Sequence, residues 1–155
     1  MLTIAGSGSR FTSGSSVNVG DYGNGVLAVM DGGTFSAGGN EVVLGKTGSG
    51  SNRGALIIGS RGNMDTGTGL TEPTLGAAGA AGTIDAQTAI ALRGGLFRSY
   101  VYFNHTDGNY VFSNKMSGEG EVINTAGQRH ETAVLELDRV LGSSSADELE
   151  RHRVG

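Results

Sequence analysis

Short apolar-x-apolar triplets recur along the chain, separated by clusters of Gly, Ser, Asn and Asp. Leu2-Thr3-Ile4, Val17-Asn18-Val19, Leu27-Ala28-Val29, Val42-Val43-Leu44 and Leu56-Ile57-Ile58 are the clearest. A period of two marks a strand with one buried face, and the runs are about three to five residues long. The triplets belong to a larger repeat. Residues 8–25 answer residues 33–50: Gly8-Ser9 matches Gly33-Thr34, Gly14 matches Gly39, and Val17-Asn18-Val19-Gly20 matches Val42-Val43-Leu44-Gly45, each pair 25 positions apart. Leu56 follows Leu27 by 29, as a four-residue insertion in one turn would produce. One such unit cannot bury its own apolar face, but units stacked at the strand spacing of about 4.8 Å can. A period near 25 suits one coil of a three-sided parallel β-helix with glycine at the corners. A propeller blade needs about 40 residues, and the Leu/Asn spacing of a leucine-rich repeat is missing.

Two stretches depart from this text. Residues 64–82 are low in complexity and hold the one proline, Pro73, which predicts a loop protruding from the solenoid. Strand-like runs resume at Thr83-Ile84-Asp85-Ala86, Ala89-Ile90-Ala91-Leu92 and Tyr100-Val101-Tyr102-Phe103. From Gln128 onward the chain carries 10 of its 26 charged residues and two of its three histidines. Residues 133–141 have helical propensity, and Ser145-Ala146-Asp147-Glu148-Leu149-Glu150-Arg151 reads as a capped helical turn. The expected organisation is a solenoid over residues 1–127 and a charged tail over 128–155 that lies off it, helical or disordered.

Composition narrows the class. Gly, Ser, Thr and Asn make up 66 of 155 residues, yet 37% of the chain is apolar, too much for a linker. Collagen would need glycine at every third position and abundant proline. With no cysteine, disulfides and thiolate zinc sites are excluded. No apolar run reaches the 18 or so residues of a membrane-spanning helix, and Met1-Leu2-Thr3-Ile4 does not open a signal peptide. A net charge of −4 argues against a nucleic-acid partner.

Candidate chemistry is sparse. Gly45-Lys46-Thr47 lacks the earlier glycine of a phosphate-binding loop, since position 40 is Asn. Asp31-Gly32-Gly33-Thr34 does not continue as a calcium-binding nonapeptide. His105 has no nearby histidine or cysteine with which to hold a metal. Asp21, Asp31, Asp65, Asp85 and Asp107 fall at unrelated phases of the repeat, so no carboxylate pair stands out for acid–base work. No catalytic, cofactor-binding or metal-binding residue is expected, and no cofactor. Aromatics, by contrast, are concentrated: Phe97, Tyr100, Tyr102, Phe103, Tyr110 and Phe112 are six of nine. Burying one Phe is worth about 1.5–3 kcal/mol, so this segment is a candidate for the most stable rung.

Phe103-Asn104-His105-Thr106-Asp107, Tyr110, Phe112-Ser113-Asn114 and Ser117-Gly118-Glu119-Gly120-Glu121-Val122 resemble the end of the passenger domain in AIDA-type autotransporters, just before the outer-membrane barrel. The glycine repeats also resemble passenger repeats, so the likeness spans roughly residues 2–125. In that family the junction is associated with an autochaperone that seeds folding of the β-helix. The tail departs from the family, offering neither further short strands nor a barrel. The resemblance implies a right-handed parallel β-helix, secreted to the bacterial surface and associated with the outer membrane. It would be structural and adhesive, not enzymatic, monomeric, and partnered by unknown surface ligands and a C-terminal β-barrel. Phe103, Tyr110 and Phe112 are expected to pack inside as the folding seed, with Asn104 hydrogen-bonding along the stack. The alternatives are a pectate-lyase-like carbohydrate-active or carbohydrate-binding module, and a trimeric fibre segment.

Overall fold

The computed structural model describes residues 1–45, 52–64, 72–94, 98–126, 129–131 and 136–140. Among them are sixteen strands and no helix. The chain runs in passes. The first contains β1 (Leu2–Ala5), β2 (Arg10–Thr12) and β3 (Val17–Val19). The second contains β4 (Gly25–Met30), β5 (Thr34–Ser36) and β6 (Glu41–Leu44). The third contains β7 (Gly54–Ile58), the short β8 (Gly62–Asn63) and β9 (Thr74–Leu75), then β10 (Thr83–Ile84) and β11 (Ala89–Arg93). The fourth contains β12 (Tyr100–Asn104), β13 (Tyr110–Phe112) and the start of β14 (Met116–Ala126). The rest of β14 opens a fifth, with β15 (Arg129–Glu131) and β16 (Glu136–Val140).

Most strands pair with their counterparts in the neighbouring passes, β10 and β13 being an exception, and every pair between named strands is parallel except β8–β9. The register follows the repeat: Leu2 lies opposite Leu27, Val17 opposite Val42, and Leu27 opposite Leu56. Because Val19 pairs with Leu44 but Gly25 pairs with Gly54, the four extra residues of the third pass fall in one corner, between Gly45 and Gly54. The long β14 pairs with β11 through Met116–Glu119 and with β12 through Glu121–Ala126. It thereby joins two stacks into one nine-stranded sheet, β1-β4-β7-β12-β14-β11-β6-β3 with β16 also on β14, curled into a half-barrel. The stack β10-β5-β2 and the pair β13-β15 form separate parallel sheets.

One core cluster draws on all three stacks. Leu27, Leu56, Val101 and Val122 form one row, and Val42, Ile90 and Met116 another. Phe11 stacks on Phe35 with ring centroids 5.4 Å apart and planes 7° apart, a ladder made possible by in-register parallel pairing. The corner between the curled halves needs glycine. Gly20 has φ 85°, and a Cβ on it would sit 2.1 Å from the Arg53 carbonyl oxygen. A Cβ on Gly54 would come within 2.3 Å of the Val19 oxygen. Successive passes touch here through bare backbone, which a side chain would force apart.

The other face of β4, β7 and β12 is also buried. Val26, Ala28, Ala55, Ile57, Tyr100, Tyr102 and Ile123 form a second cluster with Met64, and Leu75 packs on it. All five residues of β7 are therefore buried, as in a parallel strand covered on both sides.

Two expectations are corrected. Residues 64–82 are not a free loop over their described part. β9 pairs with β8, and the glycine-rich stretch lies along the sheets, Ala81 bridging to Met30 and Gly79 to His105. The tail is not off the sheets where it is described: β15 pairs with β13 and β16 with β14. Helix propensity is a weak prior of well under 1 kcal/mol per residue, and the unpaired edges of β13 and β14 supply main-chain partners that override it. The helical turn expected at residues 145–151 lies outside the described residues, as do Lys46, Asp65 and Phe97.

Candidate functional site

The structure brings the aromatic segment together as one packed unit. Phe103, near the end of β12, is fully buried and meets Phe112 edge-on at 5.1 Å. Tyr110 lies 6.2 Å from Phe103 and donates its hydroxyl to the Gly82 carbonyl at 3.0 Å. Burial lifts the Tyr110 phenol well above its ordinary range, with the Asp107 charge adding to it. Asn104 is buried at the end of β12 and donates through Nδ2 to Ser60 Oγ and to the Gly76 carbonyl, both at 2.9 Å. It thus bonds back to the preceding pass. Its sequon with Thr106 is closed to modification in the folded state, because the amide nitrogen is buried and doubly engaged.

Residues 72–82, which sequence reasoning set aside as a protrusion, thread through this unit. Gly79 N–H donates to Gly59 O at 2.7 Å, and Thr106 N–H to Gly79 O at 2.8 Å. Asp31 and Gly32 N–H donate to Ala80 and Ala81 O, and Ala81 N–H donates to Asp107 Oδ2 at 2.9 Å. The segment therefore joins the second, third and fourth passes. Its legible signal is Gly76, Gly79 and Gly82 at three-residue spacing. A Cβ on Gly82 would stand 2.5 Å from Val29 Cγ1.

A second missed residue is Asn114, buried, whose Nδ2 donates to Asp85 O at 2.7 Å and Thr88 O at 2.8 Å. Thr88 in turn accepts from Ala37 N–H at 3.0 Å. In the second pass Asn40 bonds to Gly14 O and Ala37 O. These corner side chains add donors to turn carbonyls, two of which, Asp85 O and Ala37 O, also accept from a main-chain N–H of their own turn.

The acids are dispersed. Asp85 accepts from Ser36 Oγ and from Gln87 N–H, and those bonds hold its carboxyl below the usual range. Asp31 sits in a tight turn with φ 51°. Among the described residues no three of His, Asp and Glu converge as a metal site, and no helix is long and apolar enough to cross a membrane. Comparison with protein-family models, with curated proteins and with solved structures gave no match.

Proposed function

We propose that this chain is a structural and adhesive passenger segment of a secreted bacterial autotransporter. In this reading the curled sheet and its two companion sheets are a right-handed parallel β-helix held at the cell surface beside an outer-membrane barrel. The passes around Phe103 and Phe112 seed its folding, and the surface of the stack meets ligands on neighbouring or host cells without chemistry of its own. The observation that carries the proposal is the unbroken parallel ladder from β1 through β14, which opens on the glycine-marked 25-residue repeat at β1–β4 and ends at the aromatic unit. Stacked coils fold by nearest-neighbour propagation, so the most stable coil is the natural seed.

Secretion gives the test. The chain is fused ahead of an autotransporter barrel, and surface display is scored by antibody and by protease resistance of the displayed domain. Display of a protease-resistant domain is the expected result, with Phe103→Ala and Phe112→Ala displayed but degraded. Retention of the wild-type fusion in the periplasm, or equal protease resistance of the Phe variants, overturns the reading.

A further inference from the structure

His105 is an unusual residue in this fold. It is fully buried, and neither ring nitrogen meets a well-formed hydrogen-bond partner. The ring is packed 4.8 Å from that of Tyr110 and edge-on to Phe103 at 6.4 Å. Against its backbone lie Gly79 and Ala126. A buried imidazole with no well-formed hydrogen bond is tolerable while neutral and costly once charged.

The bonds that tie residues 72–82 to the fourth pass end on residues close to His105 in the chain, and Gly79 bridges to His105 through the backbone. They run to Tyr102, Asn104, Thr106, Asp107 and Tyr110. Beneath the same segment, Leu75 covers the outer apolar stripe that includes Ile57 and Tyr102. We propose that residues 72–82 form an acid-released strap, latched by the neutral His105 ring, whose release uncovers the outer apolar stripe of the sheet.

The charged and titratable groups around the ring support a release on protonation. Asp107 is the carboxylate that faces it, and that carboxylate also holds Ala81 N–H. An imidazolium would compete with Ala81 for Asp107 and draw it from the strap. Tyr110 is phenolic and neutral. From the third pass Gly59 and Gly79 bring no titratable group, and from the second pass Asp31 packs against Gly79. Burial lowers the proton affinity of His105, with the charge and main chain of Asp107 pulling the other way. The unfolded chain therefore binds more protons than the folded one just below pH 6.5, the ordinary histidine value. Stability present above that pH drains away as pH falls toward the lowered folded value.

The experiment follows histidine ring resonances, amide exchange and binding of an apolar fluorescent dye from pH 7.5 to 4.5 on the full chain. His105 should titrate below an ordinary histidine. As it does, the amides of Asp31, Gly32, Gly79, Ala81 and Thr106 should lose protection at least tenfold more than those of β6 and β11, after correction for intrinsic exchange. Dye binding should rise together with them. His105→Phe fills the space without a titrating group and should abolish this local loss. Asp107→Asn keeps an oxygen for Ala81 but removes the countercharge, so the acid midpoint should move to lower pH. The proposal is overturned if the strap amides stay protected while His105 titrates, if His105→Phe opens at the same pH, or if protection is lost uniformly over all passes.

Discussion

Replacing Phe103 by Ala tests whether the aromatic unit forms early. The side chain is wholly buried, with Phe112 at 5.1 Å and Tyr110 at 6.2 Å as ring neighbours, so no rearrangement of solvent can fill the space. Truncating a buried Phe costs about 3–5 kcal/mol. That is a large share of the roughly 5–15 kcal/mol by which a domain is stable. Leu27→Ala is the control, because Leu27 is equally buried but lies in the second pass, away from the aromatic unit. Its truncation costs about 2–5 kcal/mol. The two should differ in kinetics. If Phe103 has about 60% of its native contacts in the transition state, a loss of about 4 kcal/mol slows refolding on the order of 60-fold. If Leu27 has about 20%, a loss of about 3 kcal/mol slows refolding only about 3-fold and speeds unfolding about 60-fold. Stopped-flow refolding and unfolding across a denaturant series gives both arms. A Phe103→Ala chain that refolds at the native rate, or a Leu27→Ala chain that slows as much, refutes the seed and leaves the segment as one rung among equals.

Asn114→Ala should cost about 1–3 kcal/mol in chemical denaturation, because it removes a buried donor shared by the Asp85 and Thr88 carbonyls, whereas Asn40→Ala, less buried at its corner, should cost less than half of that. Gly82→Ala should destabilise by about 1–3 kcal/mol through overpacking against Val29, and Gly108→Ala, whose Cβ meets nothing within 4 Å, should leave the melting temperature unchanged. The lowered carboxyl of Asp85 contributes stability that is present above its ordinary value of 3.8 and lost as pH falls through the lower folded value, so Asp85→Asn should flatten the acid limb of a melting-temperature profile below pH 4. Truncation after Ala126 removes the partners of β13 and β14 and should lower the melting temperature by several degrees in calorimetry, with an unchanged value showing that β15 and β16 add nothing.

The strand stacks were legible because each depends on a short apolar alternation and on repetition at a fixed distance, both local properties of the text. Leu2 opposite Leu27 and Val17 opposite Val42 are the repeat itself turned into hydrogen bonds. The outer apolar stripe was less so. Ala55 and Ile57 sit at the polar phase of the alternation, and unbroken Gly-Ala-Leu-Ile-Ile was a sign that both faces of β7 are covered. The strap was hidden because its own residues carry no apolar alternation and its partners, Asp31, Gly59 and His105, come from three different passes. Its glycine spacing could be counted, but nothing in the text says which backbone those glycines approach. The strands β15 and β16 were missed for another reason. Their sequence is charged and helix-prone, and neither property decides between helix and strand when an open sheet edge is within reach. Burial of His105 had a local hint, since Phe103 and Tyr110 flank it in sequence, but a polar residue among aromatics reads equally well as a turn.

A stack of coils held only by neighbours behaves as a one-dimensional array, free to fray from either end. The strap changes that arithmetic. Gly79 N–H donates to the third pass, Asp31 and Gly32 of the second pass donate to Ala80 and Ala81, and Thr106 of the fourth donates to Gly79. The second pass therefore cannot leave the stack without breaking bonds that also engage a segment tied to the fourth. Passes two to four are coupled beyond nearest neighbours, whereas the strands of the first pass pair only with the second, through β1–β4, β2–β5 and β3–β6, and the first pass touches the third at the Gly20 corner. The physical consequence is a graded molecule: a first pass that opens at low free energy, and a central block that opens as one unit. The aromatic unit of Phe103, Tyr110 and Phe112, proposed as the folding seed, lies inside that block. Under the proposed function this arrangement would serve a chain extruded through a membrane, because the proposed seed is also the portion that local fraying cannot take apart.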